Sequence, residues 1–69
     1  MGSIYIVFGT NLSYRRGLKG YSLRKLGEKC GINHAALSRM ENGLMNVTLE
    51  TLSKLATALD TTPDKLLTP

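Results

Sequence analysis

Residues 22–43 read S-L-R-K-L-G-E-K-C-G-I-N-H-A-A-L-S-R-M-E-N-G, from Ser22 to Gly43. Ser22 is a good N-cap, and Leu23, Leu26 and Cys30 follow on one face at helical spacing. Gly31 stands where a helix needs a left-handed residue to stop. One apolar residue later, Asn33 is again an N-cap type, so a second helix opens at once. Leu37 and Met40 form its inward stripe, and Asn42-Gly43 ends it. Two short helices joined by a tight turn make a helix-turn-helix, a layout whose second helix fits the major groove of DNA.

Outward from that stretch, the same signals predict three more helices. Ile4-Tyr5-Ile6-Val7-Phe8 has strand propensity, but Ile4, Phe8 and Leu12 recur at i+4, which favours a helix over about Ile4–Leu18. Val7 and Tyr14 flank that face, and Gly20 marks the turn into Ser22. Thr48 reads as the N-cap of a fourth helix running to about Leu59, with Leu49, Leu52, Leu55, Ala56 and Leu59 on its core face. Thr62 as N-cap with Pro63 at the first helical position starts a fifth, which carries Leu66 and Leu67. The expected fold class is all-α, five helices around one small core. Gly27, inside the second helix, costs about 1 kcal/mol against alanine and is best explained by a close crossing with the third.

The 69 residues are read as one domain, 1–69, with Met1, Gly2 and Ser3 resembling an expression scar and given no part in the fold. So short a chain buries a modest core, which makes pairing with a second copy a natural source of further stability. Hydrophobic residues make up 42%, a globular composition. A single cysteine, Cys30, excludes an internal disulfide, and with one histidine no soft-ligand metal cluster forms. Neither metal nor cofactor is expected. No secretory signal or membrane span is visible, and a reducing, cytoplasmic location is expected.

Net charge is +4, and it is unevenly placed. Up to Arg39, seven Lys/Arg stand against the one acid Glu28; from Met40 onward, two stand against four. The cationic half is the helix-turn-helix half, which implies a polyanion partner and favours nucleic acid over membrane. The predicted third helix has an outer strip of His34, Ala35, Ser38, Arg39 and Asn42, without an acid or a large apolar group. No nucleophile–base pair or phosphate loop is present, so an enzyme is not expected.

These residues, nearly end to end, resemble the Cro/cI-type, lambda-repressor-like (XRE) helix-turn-helix family. The resemblance rests on Phe8-Gly9 with Leu12 and Arg16, Gly20 and Ser22, Leu26, Gly31-Ile32, the run Leu37-Ser38-Arg39-Met40-Glu41-Asn42-Gly43, and Leu49-Glu50-Thr51-Leu52 with Leu55-Ala56. It implies a five-helix fold and an ion pair between Arg16 and Glu41. It implies base-reading by Asn33, His34, Ala35, Ser38 and Arg39, with Arg39 foremost because a guanidinium pairs bidentately with guanine. Arg15, Lys19, Ser22, Arg24, Lys25, Asn42 and Asn46 are the expected phosphate contacts. A homodimer is implied too, with Leu44, Leu66 and Leu67 as its expected surface, bound to a palindromic operator. The function so implied is that of a transcriptional regulator, a repressor by occupancy, with RNA polymerase a further partner where the site adjoins a promoter. Relatives of this size include phage repressors, restriction–modification controllers and plasmid or antitoxin-type regulators. The position where the family often has glutamine at the start of the second helix is Leu23 here, which can pack but not hydrogen-bond. Leu23, Leu44 and Met45, uncharged near the expected DNA edge, support a second reading: a protein-interaction module on the same fold.

Overall fold

The computed structural model describes residues 3–69 and holds five helices: α1 (Ile4–Lys19), α2 (Leu23–Cys30), α3 (His34–Glu41), α4 (Leu49–Ala58) and α5 (Pro63–Leu67). Every expected helix is present, and the boundaries are chemical ones. Ser22, Asn33 and Thr48 each accept a backbone N–H from the first turn of α2, α3 and α4 through their side-chain oxygens. Gly20 and Gly31 close α1 and α2 in the left-handed conformation. Ser3, expected to take no part, caps α1: its Oγ accepts from the Tyr5 N–H at 3.1 Å. The expectation for Met1 and Gly2 lies outside the described residues. Thr62 begins α5 as expected, but without a side-chain cap. Its hydroxyl instead favours the charged form of the neighbouring Asp64 carboxylate, whose pKa is lowered.

α1 packs on α3 and α5, α2 packs on α3 and α4, and α4 packs on α5. Their shared core is Phe8, Leu12, Leu26, Leu37, Met40, Leu52, Leu55, Ala56, Leu59 and Leu66. Burying such side chains contributes about 1.5 to 3 kcal/mol each and holds the short helices, none of which would be stable alone. Leu23 and Cys30 lie partly buried against this core. The Cys30 thiol is pushed upward in pKa by that burial, which favours its protonated form.

Two expectations fail on burial. Leu49 was assigned to the core face of α4 but is 83% exposed, because the first residue of α4 projects beyond the edge of the core. Leu66 was assigned to a dimer surface but is fully enclosed, the anchor that holds α5 to the domain. Asn11 of α1 reinforces that anchor, its Nδ2 donating to the carbonyls of Leu66 (3.0 Å) and Thr68 (2.8 Å) at the end of α5. No helix among the described residues is long and apolar enough to cross a membrane.

Candidate nucleic-acid interface

The placement of α3 is set from behind. Gly9 of α1 sits against the last carbonyls of α3: a Cβ there would collide with the Met40 oxygen and lie 2.8 Å from that of Glu41. Seven residues on, along the same face of α1, Arg16 reaches the same end of α3. Its Nε donates to Glu41 Oε2 at 2.6 Å and its Nη2 to Oε1 at 3.0 Å, a two-pronged guanidinium–carboxylate pair. The remaining prong, Nη1, donates to the Tyr21 carbonyl at 2.8 Å, so one guanidinium ties α1, the α1–α2 turn and α3 together. The hydrogen bonds that Arg16 donates to Glu41 hold the guanidinium still more firmly in its charged form. The side chains keep 22% and 10% of their exposure, so the pair is largely desolvated.

The α2–α3 angle is fixed by a second close approach. At Gly27 a Cβ would lie 2.5 Å from the Ile32 carbonyl oxygen, so the turn folds directly onto α2. The nearest contact is with the turn that leads into α3, and α3 itself follows at ordinary contact distance, the His34 N at 3.6 Å and the Leu37 side chain at 3.7 Å.

With its back so held, α3 turns one strip outward. Asn33, His34, Ala35 and Arg39 are exposed and Ser38 is half-buried beside them. Asn33 Oδ1 is occupied by the Ala35 N–H at 2.7 Å, while among the described residues its amide N–H groups donate no hydrogen bond. Among the described residues the Arg39 side chain has neither a hydrogen bond nor an ion-pair partner, so its fork is unoccupied. Asn42 folds back, its Nδ2 donating to the Ser38 carbonyl at 2.8 Å, and so closes the helix end with one of the groups expected to hold phosphate.

The other expected phosphate contacts divide. Ser22, Arg24 and Lys25 occupy the cap and first turn of α2, all exposed. The Ser22 oxygen accepts from the Lys25 N–H, leaving its own hydroxyl proton to donate outward. Asn46 is exposed in the α3–α4 loop. Arg15 and Lys19, by contrast, lie apart from this strip. Arg15 shares a surface hollow with Asn11, Asp64 and Lys65 on the α5 side of α1. Lys19 is paired with Asp60, at the corner between α4 and α5. Sequence reasoning missed Asp60 as the partner because only the fold brings positions 19 and 60 together. It also missed the contact made by Gly9, whose one signal was a residue without a side chain on the face of α1 that carries Arg16.

The helix-turn-helix family model matches residues 12–66. No curated protein sequence matches the chain. Among solved structures, the restriction–modification controller protein C.AhdI from Aeromonas hydrophila is 37% identical. The match covers 90% of this chain and 94% of that one, with a TM-score of 0.86. SinR, a master regulator for biofilm formation solved in complex with DNA, is 35% identical over 88% of this chain and 98% of that one, with a TM-score of 0.85. The hypothetical transcription factor NHTF from Neisseria is 30% identical over 97% and 77%, with a TM-score of 0.92. The family match and these likenesses agree with a helix-turn-helix whose second helix is held from behind and open in front. The chain belongs to the Cro/cI-type helix-turn-helix family and is a DNA-binding transcriptional regulator.

Proposed function

We propose that the chain works as a single DNA-reading domain that represses transcription by occupying a palindromic operator as a homodimer. The observation that carries this reading is the outer strip of α3, exposed and free of acids, with the Arg39 fork unoccupied. In this reading α3 enters the major groove, where Arg39 pairs with guanine O6 and N7 and Ala35 packs on a thymine methyl. Asn33, His34 and Ser38 supply further donors and acceptors, while Ser22, Arg24, Lys25 and Asn46 hold phosphates. Two copies, each reading a half-site, would set α3 into successive major grooves about 34 Å apart. Repression follows from coverage of a promoter, and contact with RNA polymerase from an adjacent site would activate instead. The near-complete overlap with C.AhdI supports a small regulator of the controller kind. The cytoplasm, which holds the DNA, is the proposed location.

Selection of bound duplexes from a random pool tests this. The expected result is a palindromic motif, with log K falling at about −0.9 per phosphate neutralised as log salt rises. Equal affinity for selected and random duplexes, or binding insensitive to salt, would overturn it in favour of a protein-interaction module.

A further inference from the structure

A second cationic surface stands apart from the outer strip of α3. Between α2 and α4 lies an open hollow of about 350 Å³, lined by Lys29, Cys30, Ser53, Lys54, Thr57 and Ala58. The core takes Leu52, Leu55, Ala56 and Leu59, which leaves Ser53, Lys54 and Thr57 on the outward side of α4. From α2 the last turn adds Lys29 and Cys30. Among the described residues neither lysine has an ion-pair partner, and neither the Ser53 nor the Thr57 hydroxyl makes a hydrogen bond. No acid lines the hollow. Glu28, beside Lys29, and Glu50, one turn before Lys54, pair with neither, and Asp60 is held by Lys19 and feels Lys29 only as a more distant charge. The Lys29 ammonium rests 5.2 Å from the centre of the Tyr21 ring, which steadies a long side chain without filling its N–H donors. Lys29 also suits the negative end of the α2 dipole, but Lys54, in the middle of α4, gains nothing of that kind.

We propose that this hollow binds a small ligand bearing a phosphate group, held between the ammonium groups of Lys29 and Lys54. The groups around it are ammonium and hydroxyl donors with no carboxylate among them, which answers a multiply charged oxyanion and repels a cation. Its volume falls within the range of about 300 to 1,000 Å³ typical of small-molecule sites. Cys30 and Ala58, packed partly into the core, give the floor an apolar surface for the body of the ligand. Burial raises the pKa of Cys30, and the Lys54 charge is among the influences that oppose it, so that ammonium lies within electrostatic reach of the floor. The hollow is also set back from the duplex. Ser22, Arg24 and Lys25, the proposed phosphate contacts, occupy the start of α2, whereas Lys29 lies about 10 Å further along the helix axis. The other wall is α4, which packs on α2 and α5. A ligand in the hollow bridges α2 to α4 and leaves the outer strip of α3 open, so the domain holds ligand and DNA at once. This binding is independent of the homodimer and of the operator's symmetry.

The test follows the backbone amide signals of the isotope-labelled chain by nuclear magnetic resonance as inorganic phosphate replaces chloride at constant ionic strength. Saturable shifts are expected at Lys29, Cys30, Ser53, Lys54 and Thr57. Lys29→Ala and Lys54→Ala alter exposed positions outside the core, so folding is retained, and circular dichroism verifies it. Each should weaken phosphate binding at the hollow about threefold, and the two together about tenfold. Arg39→Ala should leave that affinity unchanged. Adding a duplex to the phosphate-bound chain should move the signals of α3 and leave those of the hollow in their bound positions. Shifts that rise without saturating, that spread evenly over the exposed lysines, or that persist in the folded double variant overturn the site. Reversal of the hollow's shifts by the duplex assigns these groups to the DNA backbone and overturns a free ligand.

Discussion

The two sides of α3 are built to opposite rules. The side turned to α1 leaves no room: Gly9 touches its final carbonyls, Leu37 and Met40 are buried, and Glu41 is gripped by Arg16. The side turned outward leaves everything open, with His34, Ala35 and Arg39 exposed and the Arg39 fork without a partner. A base-reading helix must be held within a few tenths of an ångström to discriminate base edges, yet its reading groups must be unoccupied before DNA arrives. Separating the two demands onto opposite faces makes stability and specificity independently variable.

The largest test of the closed side is Glu41→Ala. It strands a mostly desolvated guanidinium, and such a loss costs about 3 kcal/mol, the low end for a buried pair because Arg16 keeps some contact with water. Thermal melting should fall accordingly, and a melt equal to the parent's would break the comparison. Gly9→Ala attacks the same seam by volume. The new methyl meets backbone oxygens that no rotamer change can move aside, so α1 and α3 must separate, at a cost of about 2 to 3 kcal/mol. Both variants should also weaken DNA binding at temperatures where they remain folded, since the outer strip loses its fixed angle. Unaltered affinity in folded Gly9→Ala would show that α3 keeps its angle without that contact.

On the open side the expectation reverses. Arg39→Ala should leave the melt within about 0.5 kcal/mol of the parent, because the side chain has no partner to lose. It should cost about 1 to 3 kcal/mol of discrimination at one base pair of each half-site. Binding titrations against operators altered at single positions read this directly. A uniform loss across all sequences would reassign Arg39 to phosphate.

This division was legible in the sequence to different depths. The core stripe of Leu37 and Met40 and the acid-free outer strip follow from helical spacing, and the caps Ser22, Asn33 and Thr48 follow from residue type. Arg16–Glu41 was reachable only through family resemblance, since nothing local relates positions 25 apart. Leu66 and Leu49 could not be sorted from spacing: both are leucines on a helix face, and only tertiary packing encloses one and exposes the other. Cations failed for a similar reason. Arg15, Lys19, Arg24 and Lys25 are alike in a charge tally, but the fold supplies Lys19 with an acid and turns Arg15 toward α5.

Lys19–Asp60 gives the smallest and most revealing contrast, because it is an ion pair like Arg16–Glu41 but stands in water. The carboxylate of Asp60 is 74% exposed, so solvent and salt screen the pair and its contribution is slight. Asp60 nonetheless holds a lowered pKa, first through its hydrogen bond with Lys19 and then through that ammonium's charge. A lowered folded-state value means that the unfolded chain takes up a proton first. The stability from this pair is therefore complete above the unfolded value of about 3.9 and is lost as pH falls through the lower folded one. Asp60→Asn removes the charge and keeps the backbone, since asparagine tolerates the left-handed φ of 55° found here. The parent should melt slightly above this variant at neutral pH, with the gap narrowing below about pH 4 and under high salt. A gap that stays constant from pH 7 to pH 2 would mean that the side chain contributes through the turn and not through Lys19. In that case the surface corner, like the Gly9 seam, would be governed by shape, and charge would decide matters only where Arg16 is shielded from water.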